Sequence, residues 1–216
     1  MFKSFRLKGN YPRLVLVGNS NVGKSTISKF FLYNKKLATG TIGKKAGSTV
    51  SLKLYKDPRI PFNIVDLPGF GAMTRTSRDL KDKIHSEIIN YVERDKENIF
   101  LILVIINGIR VLDELKKWYY QDNTTIPLTF EFLSWIGTEV ELPCALVINK
   151  IDKLKKREIT QIVQEIEKVL TDFHIEINAS SPKGLLKMFT VSAKNRVNMQ
   201  ELKLFVEDRF NLTEHC

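Results

Sequence analysis

Gly18-Asn19-Ser20-Asn21-Val22-Gly23-Lys24-Ser25 is the stretch that decides the fold. It follows the apolar run Arg13 to Val17 and leads into a helical pattern from Lys24 to Tyr33. A strand, a glycine-bounded loop and a helix opening on Lys-Ser form the pattern G-x-x-x-x-G-K-[ST] in the context it requires. Glycines let successive backbone N–H groups turn inward on an anion, and the helix N-terminus adds positive potential. Lys24 then reaches the β- and γ-phosphates of a nucleotide, and the Ser25 hydroxyl ligates magnesium. A plain glycine turn would explain Gly18 and Gly23, but not Lys24-Ser25 directly after them.

Outward from this loop, apolar strand-like runs alternate with helical patterns, the mark of parallel strands joined by crossover helices. Val50 to Tyr55 and Phe62 to Val65 read as two strands around a turn at Asp57-Pro58, able to pair antiparallel at an edge. Leu80 to Val92 carries Leu80, Ile84, Ile88 and Val92 at helical spacing. Ile99 to Ile106, Leu142 to Ile148 and Met188 to Val191 read as strands, and Lys156 to Phe173 and Met199 to Phe210 as helices. The expected fold class is α/β, a mostly parallel central sheet with one antiparallel edge strand and helices on both faces. Residues 1–216 read as one domain, with 1–12 a short basic extension. The long crossover from Asn107 to Glu141 contains Trp118, Tyr119, Tyr120, Phe130, Phe132 and Trp135. Such aromatics beside a basic surface could stack on RNA bases. Helix packing is the favoured reading, since Phe132, Trp135 and Ile136 fall at helical spacing.

Three more motifs follow strands in order. Asp66-Leu67-Pro68-Gly69 comes after Phe62-Asn63-Ile64-Val65, 42 residues beyond Lys24. An Asp at a strand end can hold magnesium through a water, and the Gly69 N–H can approach a γ-phosphate. Asn149-Lys150-Ile151-Asp152 follows the strand ending at Ile148. The Asp152 carboxylate can accept two hydrogen bonds from guanine, whereas adenine would leave it unpaired; Asn149 is taken to read the base with it. Lys150 can lie along the base plane. Ser192-Ala193-Lys194 can close over the base with its backbone. A threonine between the first helix and the next strand must bind magnesium in the triphosphate state. Thr49 in Gly47-Ser48-Thr49 is chosen, with Thr41 as runner-up and Thr39 also available. Lys24, Thr49 and Gly69 are the catalytic candidates; Ser25, Thr49 and, through water, Asp66 are the magnesium ligands.

Composition bounds the rest. Of 216 residues, 43% are hydrophobic and 27% charged, an ordinary globular balance. The longest apolar run, Ile99 to Ile106, is too short to cross a bilayer as a helix. The N-terminus has no apolar leader and Cys216 forms no prenylation box, so a cytoplasmic protein without a membrane partner is expected; a monomer is expected too, though no motif sets oligomeric state. Cys144 and Cys216 lack metal or disulfide spacing, and His85, His174 and His215 are scattered. The net charge of +10 is uneven: residues 1–60 carry thirteen bases and one acid, while the remainder is slightly acidic. That asymmetry suggests a polyanionic partner, or solubilising charge with one or two bases serving the nucleotide.

The ordered set GNSNVGKS, AGST, DLPGFG, NKID and SAK resembles the translation-factor-related P-loop GTPases, and more narrowly the EngB (YihA) group in its archaeal form. The resemblance spans nearly the whole chain. It implies GTP and GDP as ligands, magnesium as cofactor and a role in assembly of the large ribosomal subunit, with ribosomal RNA or a pre-ribosomal particle as partner. The alternative is a nucleotide-dependent interaction protein of cell division and septation; a third possibility is an RNA-binding module with vestigial hydrolysis. Ala46 stands where the family often has proline, and Asn149 where many bacterial members have threonine. Phe70 replaces the glutamine that orients water in Ras-like proteins, which implies slow intrinsic hydrolysis raised by a partner. Asn21 sits where similar GTPases coordinate potassium; the plainer reading is that it caps the loop.

Overall fold

Strand β1 (Arg13–Val17) is buried at all five positions, as a strand covered by helices on both sides must be. The computed structural model describes residues 7, 9–33, 40–42, 52–69, 78–120 and 128–214. After β1 come α1 (Lys24–Phe31), β2 (Gly40–Ile42), β3 (Leu52–Tyr55), β4 (Asn63–Asp66) and α2 (Arg78–Asp95). Then follow β5 (Ile99–Asn107), α3 (Val111–Leu115), α4 (Leu128–Trp135), β6 (Pro143–Asn149), α5 (Lys156–Asp172), β7 (Gly184–Val191) and α6 (Met199–Glu214). The strands form one seven-stranded sheet in the order β2-β3-β4-β1-β5-β6-β7.

Pairing is parallel from β4 through β1, β5 and β6 to β7, and antiparallel at β2–β3 and β3–β4. The expected antiparallel strand is therefore β3, and it stands one place in from the edge because Gly40–Ile42 pairs outside it. The other expected elements are present, with ends moved by a few residues; β7 begins four residues before Met188. Period-two alternation divides the strand side chains between two cores. One lies under α1 and α6, with Ile27, Phe31, Leu202 and Val206; the other lies under α2, α4 and α5, with Ile88, Val92, Leu133, Ile162 and Ile166. Cys144 packs into the second core, where burial pushes its thiol up to about 12.

The described parts of the long crossover fold as helix packing; residues 121–127 and the Trp118 side chain lie outside the described residues. Phe130, Phe132 and Ile136 are buried, and the Phe132 and Trp135 rings meet at 5.3 Å. The Tyr119 ring packs on Phe173 at 5.9 Å. The hydroxyls of Tyr119 and Tyr120 donate to Asp172 and Glu165 of α5, and those bonds push both phenols up to about 12. At the opposite end of β1 from its loop, Arg13 is 1% exposed and ion-paired with Asp95, the last residue of α2. Its Nη2 also donates to the Gly9 carbonyl at 2.6 Å. No helix among the described residues is long and apolar enough to cross a membrane.

The packing makes a simple contrast testable. Leu146 is fully buried on β6 while Leu204 on α6 is 51% exposed. Leu146→Ala should cost about 3 kcal/mol in urea unfolding, since the core can only partly collapse onto the cavity. Leu204→Ala should cost roughly 0.5 kcal/mol or less.

Candidate nucleotide site

The parallel strands end along one edge of the sheet, the position where open α/β folds bind ligands. There β1 leads to the loop 18–23, β4 to Leu67-Pro68-Gly69, β6 to Lys150, Ile151 and Asp152, and β7 to Ser192, Ala193 and Lys194. Gly23 adopts φ 107 and a Cβ there would strike the Asn149 amide nitrogen. A Cβ on Gly69 would come within 2.6 Å of Ser20 Oγ. The loops therefore meet through glycine backbone, as close approach requires.

Lys24, first residue of α1, is 8% exposed and curls over its own loop. Its ammonium donates to the carbonyls of Gly18 at 2.9 Å and Asn19 at 3.0 Å. Burial lowers its pKa, Asp66 opposes that shift, and the Lys53 charge adds to it. Ser25 Oγ donates to Asp66 Oδ2 at 2.6 Å. Burial raises the Asp66 pKa, while the Ser25 hydrogen bond, Lys24 and Lys53 hold it down. A hydroxyl and a carboxylate side by side are hard oxygen donors, the kind magnesium takes while keeping several of its waters. Among the described residues no cluster of three or more His, Cys, Asp or Glu side chains offers an alternative metal centre.

Asn149 is 2% exposed, and its amide bonds to three backbone groups. Nδ2 donates to the Val22 carbonyl at 2.8 Å, while Oδ1 accepts from the N–H groups of Lys150 at 2.8 Å and Ala193 at 3.0 Å. Asn149 thus fastens three loops together, and its Nδ2 keeps a second N–H beyond the one given to Val22. Lys150, in the left-handed region at φ 72, extends its ammonium to the Asn21 carbonyl. The Asp152 carboxylate is half-buried and accepts from Ser192 Oγ at 2.6 Å through Oδ1; Oδ2 makes no hydrogen bond to a described residue. Ser192 Oγ in turn accepts from the Asn195 N–H at 3.1 Å. Beside this lies a cleft of about 600 Å³ lined by Thr26, Lys29, Phe30, Ala193, Lys194 and Arg196, roomy enough for the nucleoside end of a ligand.

The structure thus gathers residues 18–25, Asp66 to Gly69, Asn149 to Asp152 and Ser192 to Lys194 on one edge. Gly47, Ser48, Thr49, Thr39 and Phe70 lie outside the described residues. Thr41 lies in β2, its backbone paired opposite Lys53. Two residues that the sequence reading passed over border the site. Lys53 stands opposite Asp66 in the β3–β4 ladder, and Tyr55, buried two residues along β3, lies near Ser25. Their signal was only the period-two alternation of a short strand, which says which face they share but not what that face meets.

A glycine-bounded strand–loop–helix opening on Lys24-Ser25, a carboxylate against that serine and a second carboxylate at the turn after β6 define the P-loop GTPase class. The family described as 50S ribosome-binding GTPase matches residues 13–150, and the chain belongs to that family and, within it, to the EngB group. It is 37% identical over 72% of its length to the probable GTP-binding protein EngB of Methanococcus aeolicus. With the EngB of Methanococcus maripaludis it shares 33% over 74%. These alignments span 64% and 65% of the two methanococcal proteins, just under two thirds of their length. The probable EngB of Thermosipho africanus is 32% identical over 86% of this chain and 89% of that protein. A crystal structure of a probable GTP-binding protein engB superposes with a TM-score of 0.71 at 24% identity, covering 92% of this chain and 98% of that one.

The Asn149 amide supports a stability prediction. Asn149→Ala leaves the Val22 carbonyl and the Lys150 and Ala193 N–H groups without their partner. The cost should be about 3 kcal/mol, near 1 kcal/mol for each hydrogen bond. It is measured by urea unfolding of the nucleotide-free protein; a loss below about 1 kcal/mol would mean the loops hold one another by other contacts.

Proposed function

We propose that this chain binds GTP and GDP with magnesium at the edge formed by residues 18–25, 66–69, 149–152 and 192–194, and hydrolyses GTP slowly. The observation that carries this reading is the 2.6 Å hydrogen bond from Ser25 to Asp66 at the N-terminus of α1. It brings a metal-binding hydroxyl and carboxylate together where backbone N–H groups and Lys24 can take phosphate. When bound, magnesium neutralises charge developing on the transferring phosphate. Lys24 holds the β- and γ-phosphates, Ser25 and Asp66 orient the metal's oxygens, and the Gly69 N–H senses the γ-phosphate. Thr49 is the switch threonine of this proposal, and the anchoring of Thr41 in the β2 ladder supports that choice.

Base selection falls to Asp152. Ser192 fixes one carboxylate oxygen, so the group is oriented before ligand arrives. Guanine N1–H and its exocyclic amine match it; adenine leaves a half-buried carboxylate unpaired. Lys150 flanks the base plane. Hydrolysis is slow because Phe70, next to Gly69, has no hydrogen-bonding group to orient the attacking water. Potassium at Asn21 stays a reading by resemblance, checked by comparing turnover in potassium and sodium.

The biological reading is a switch in large-subunit assembly, with the GTP form engaging ribosomal RNA or a pre-ribosomal particle. Its support is the family to which the chain belongs and the basic balance of residues 1–60.

Two measurements test these levels separately. Asp152→Asn should lose guanine preference and gain affinity for xanthosine diphosphate, because xanthine presents an oxygen where guanine has its amine. Retention of full guanine preference would reassign base reading. Lys44→Ala with Lys45→Ala should lower the salt slope of ribosomal RNA binding by roughly one to two units. That slope is read with GDP and with a non-hydrolysable GTP analogue. An unchanged slope, or equal binding with both nucleotides, would remove these lysines from the partner surface.

A further inference from the structure

Lys53 borders the proposed phosphate site without a part in the nucleotide binding proposed for it. It lies on β3 directly opposite Asp66 of β4, and directly opposed residues point to the same side of a sheet. That side faces α1: Tyr55, two residues along and so on the same face, packs into the core with Ile27 and Phe31 of α1. Lys53 is half-buried, yet among the described residues it makes no hydrogen bond and no ion pair. Asp66 makes no ion pair with it; the carboxylate accepts from the Ser25 hydroxyl through Oδ2 at 2.6 Å. The ammonium is nonetheless near enough to shift both neighbours. Its charge lowers the pKa of Lys24 and of Asp66 alike.

Half-burying an ammonium beside another buried lysine is unfavourable unless an anion joins them. Lys24 and Lys53 bracket Asp66, whose single negative charge serves two cations. The missing negative charge is what a nucleotide's terminal phosphates supply. Magnesium occupies the same neighbourhood in the proposed site, so Lys53 and the metal ion repel one another while both attract phosphate.

We propose that Lys53 is a built-in phosphate-neutralising cation that takes over part of the role of magnesium, so that GDP is retained when the metal ion is lost. This rests on the nucleotide site proposed above. The consequence is an unusually weak coupling between metal and nucleotide: each is held with less help from the other than in a site lacking the lysine.

The experiment is GDP binding by the full chain, measured by fluorescence of a labelled GDP with magnesium and again with chelator. The quantity read is the ratio of the two dissociation constants, metal-free over metal-bound. Lys53→Gln, which keeps the stem and removes the charge, should raise that ratio roughly tenfold, the scale of one unit charge felt in a half-buried polar site. Lys53→Arg, which keeps the charge, should leave the ratio close to that of the unmodified protein. An unchanged ratio in Lys53→Gln, or an equal rise in Lys53→Arg, would overturn the proposal. Failure of the unmodified protein to bind GDP even with magnesium would instead overturn the nucleotide-site reading itself. The two failures are therefore separate.

Discussion

One side-chain amide carries the constraint on which the site depends. Asn149 is buried at the end of β6 and bonds at once to the phosphate loop, to its own turn and to the loop after β7. These segments are far apart in sequence, 127 residues in the case of Val22. Loops that carry a ligand are ordinarily the least stable parts of a domain. Here three of them share a single rigid anchor that the sheet places, so fixing one helps to fix the others. An aspartate could not do this, because it accepts but does not donate. A larger residue at position 23 could not sit beneath it, since even a methyl group would meet the amide nitrogen.

The sheet explains why the anchor stands where it does. β5 and β6 are almost wholly buried and pair in parallel, with Asn107 opposite Asn149 at their common end. Burial on both faces requires two layers of helix, and two such layers leave only the ends of the strands open to ligand. The polar side chains that begin immediately after each strand therefore meet at one edge. Hydrophobic patterning and site geometry are the same fact seen from the two sides of each strand terminus.

Much of this was legible in the sequence because it is local. Residues 18–25 fix strand, loop and helix within a single motif, and long apolar runs such as Ile99 to Ile106 leave no doubt about a buried strand. What escaped was set by partners distant in sequence. Gly40–Ile42 is three residues long and opens on glycine, so no pattern marks it; the ladder with Leu52–Leu54 makes it a strand. β7 starts at Gly184 because β6 offers a template there, not because of propensity. The bonds of Asn149 to Val22 and Ala193 could not be read from its motif, because those partners lie far away in sequence. Lys53 was silent because alternation in a four-residue strand tells nothing of what lies across the next ladder.

Arg13 and Asp95 fasten the last residue of α2 to the start of β1, deep in the protein and away from the loops. A helix of 18 residues is ~27 Å long, so its first turn lies far from this fixed point. Ile84, Ile88, Tyr91 and Val92 also seat α2 in the core, so tilt about that seat is felt most at the first turn. The start of α2, eight residues beyond Phe70, is the end that swings furthest.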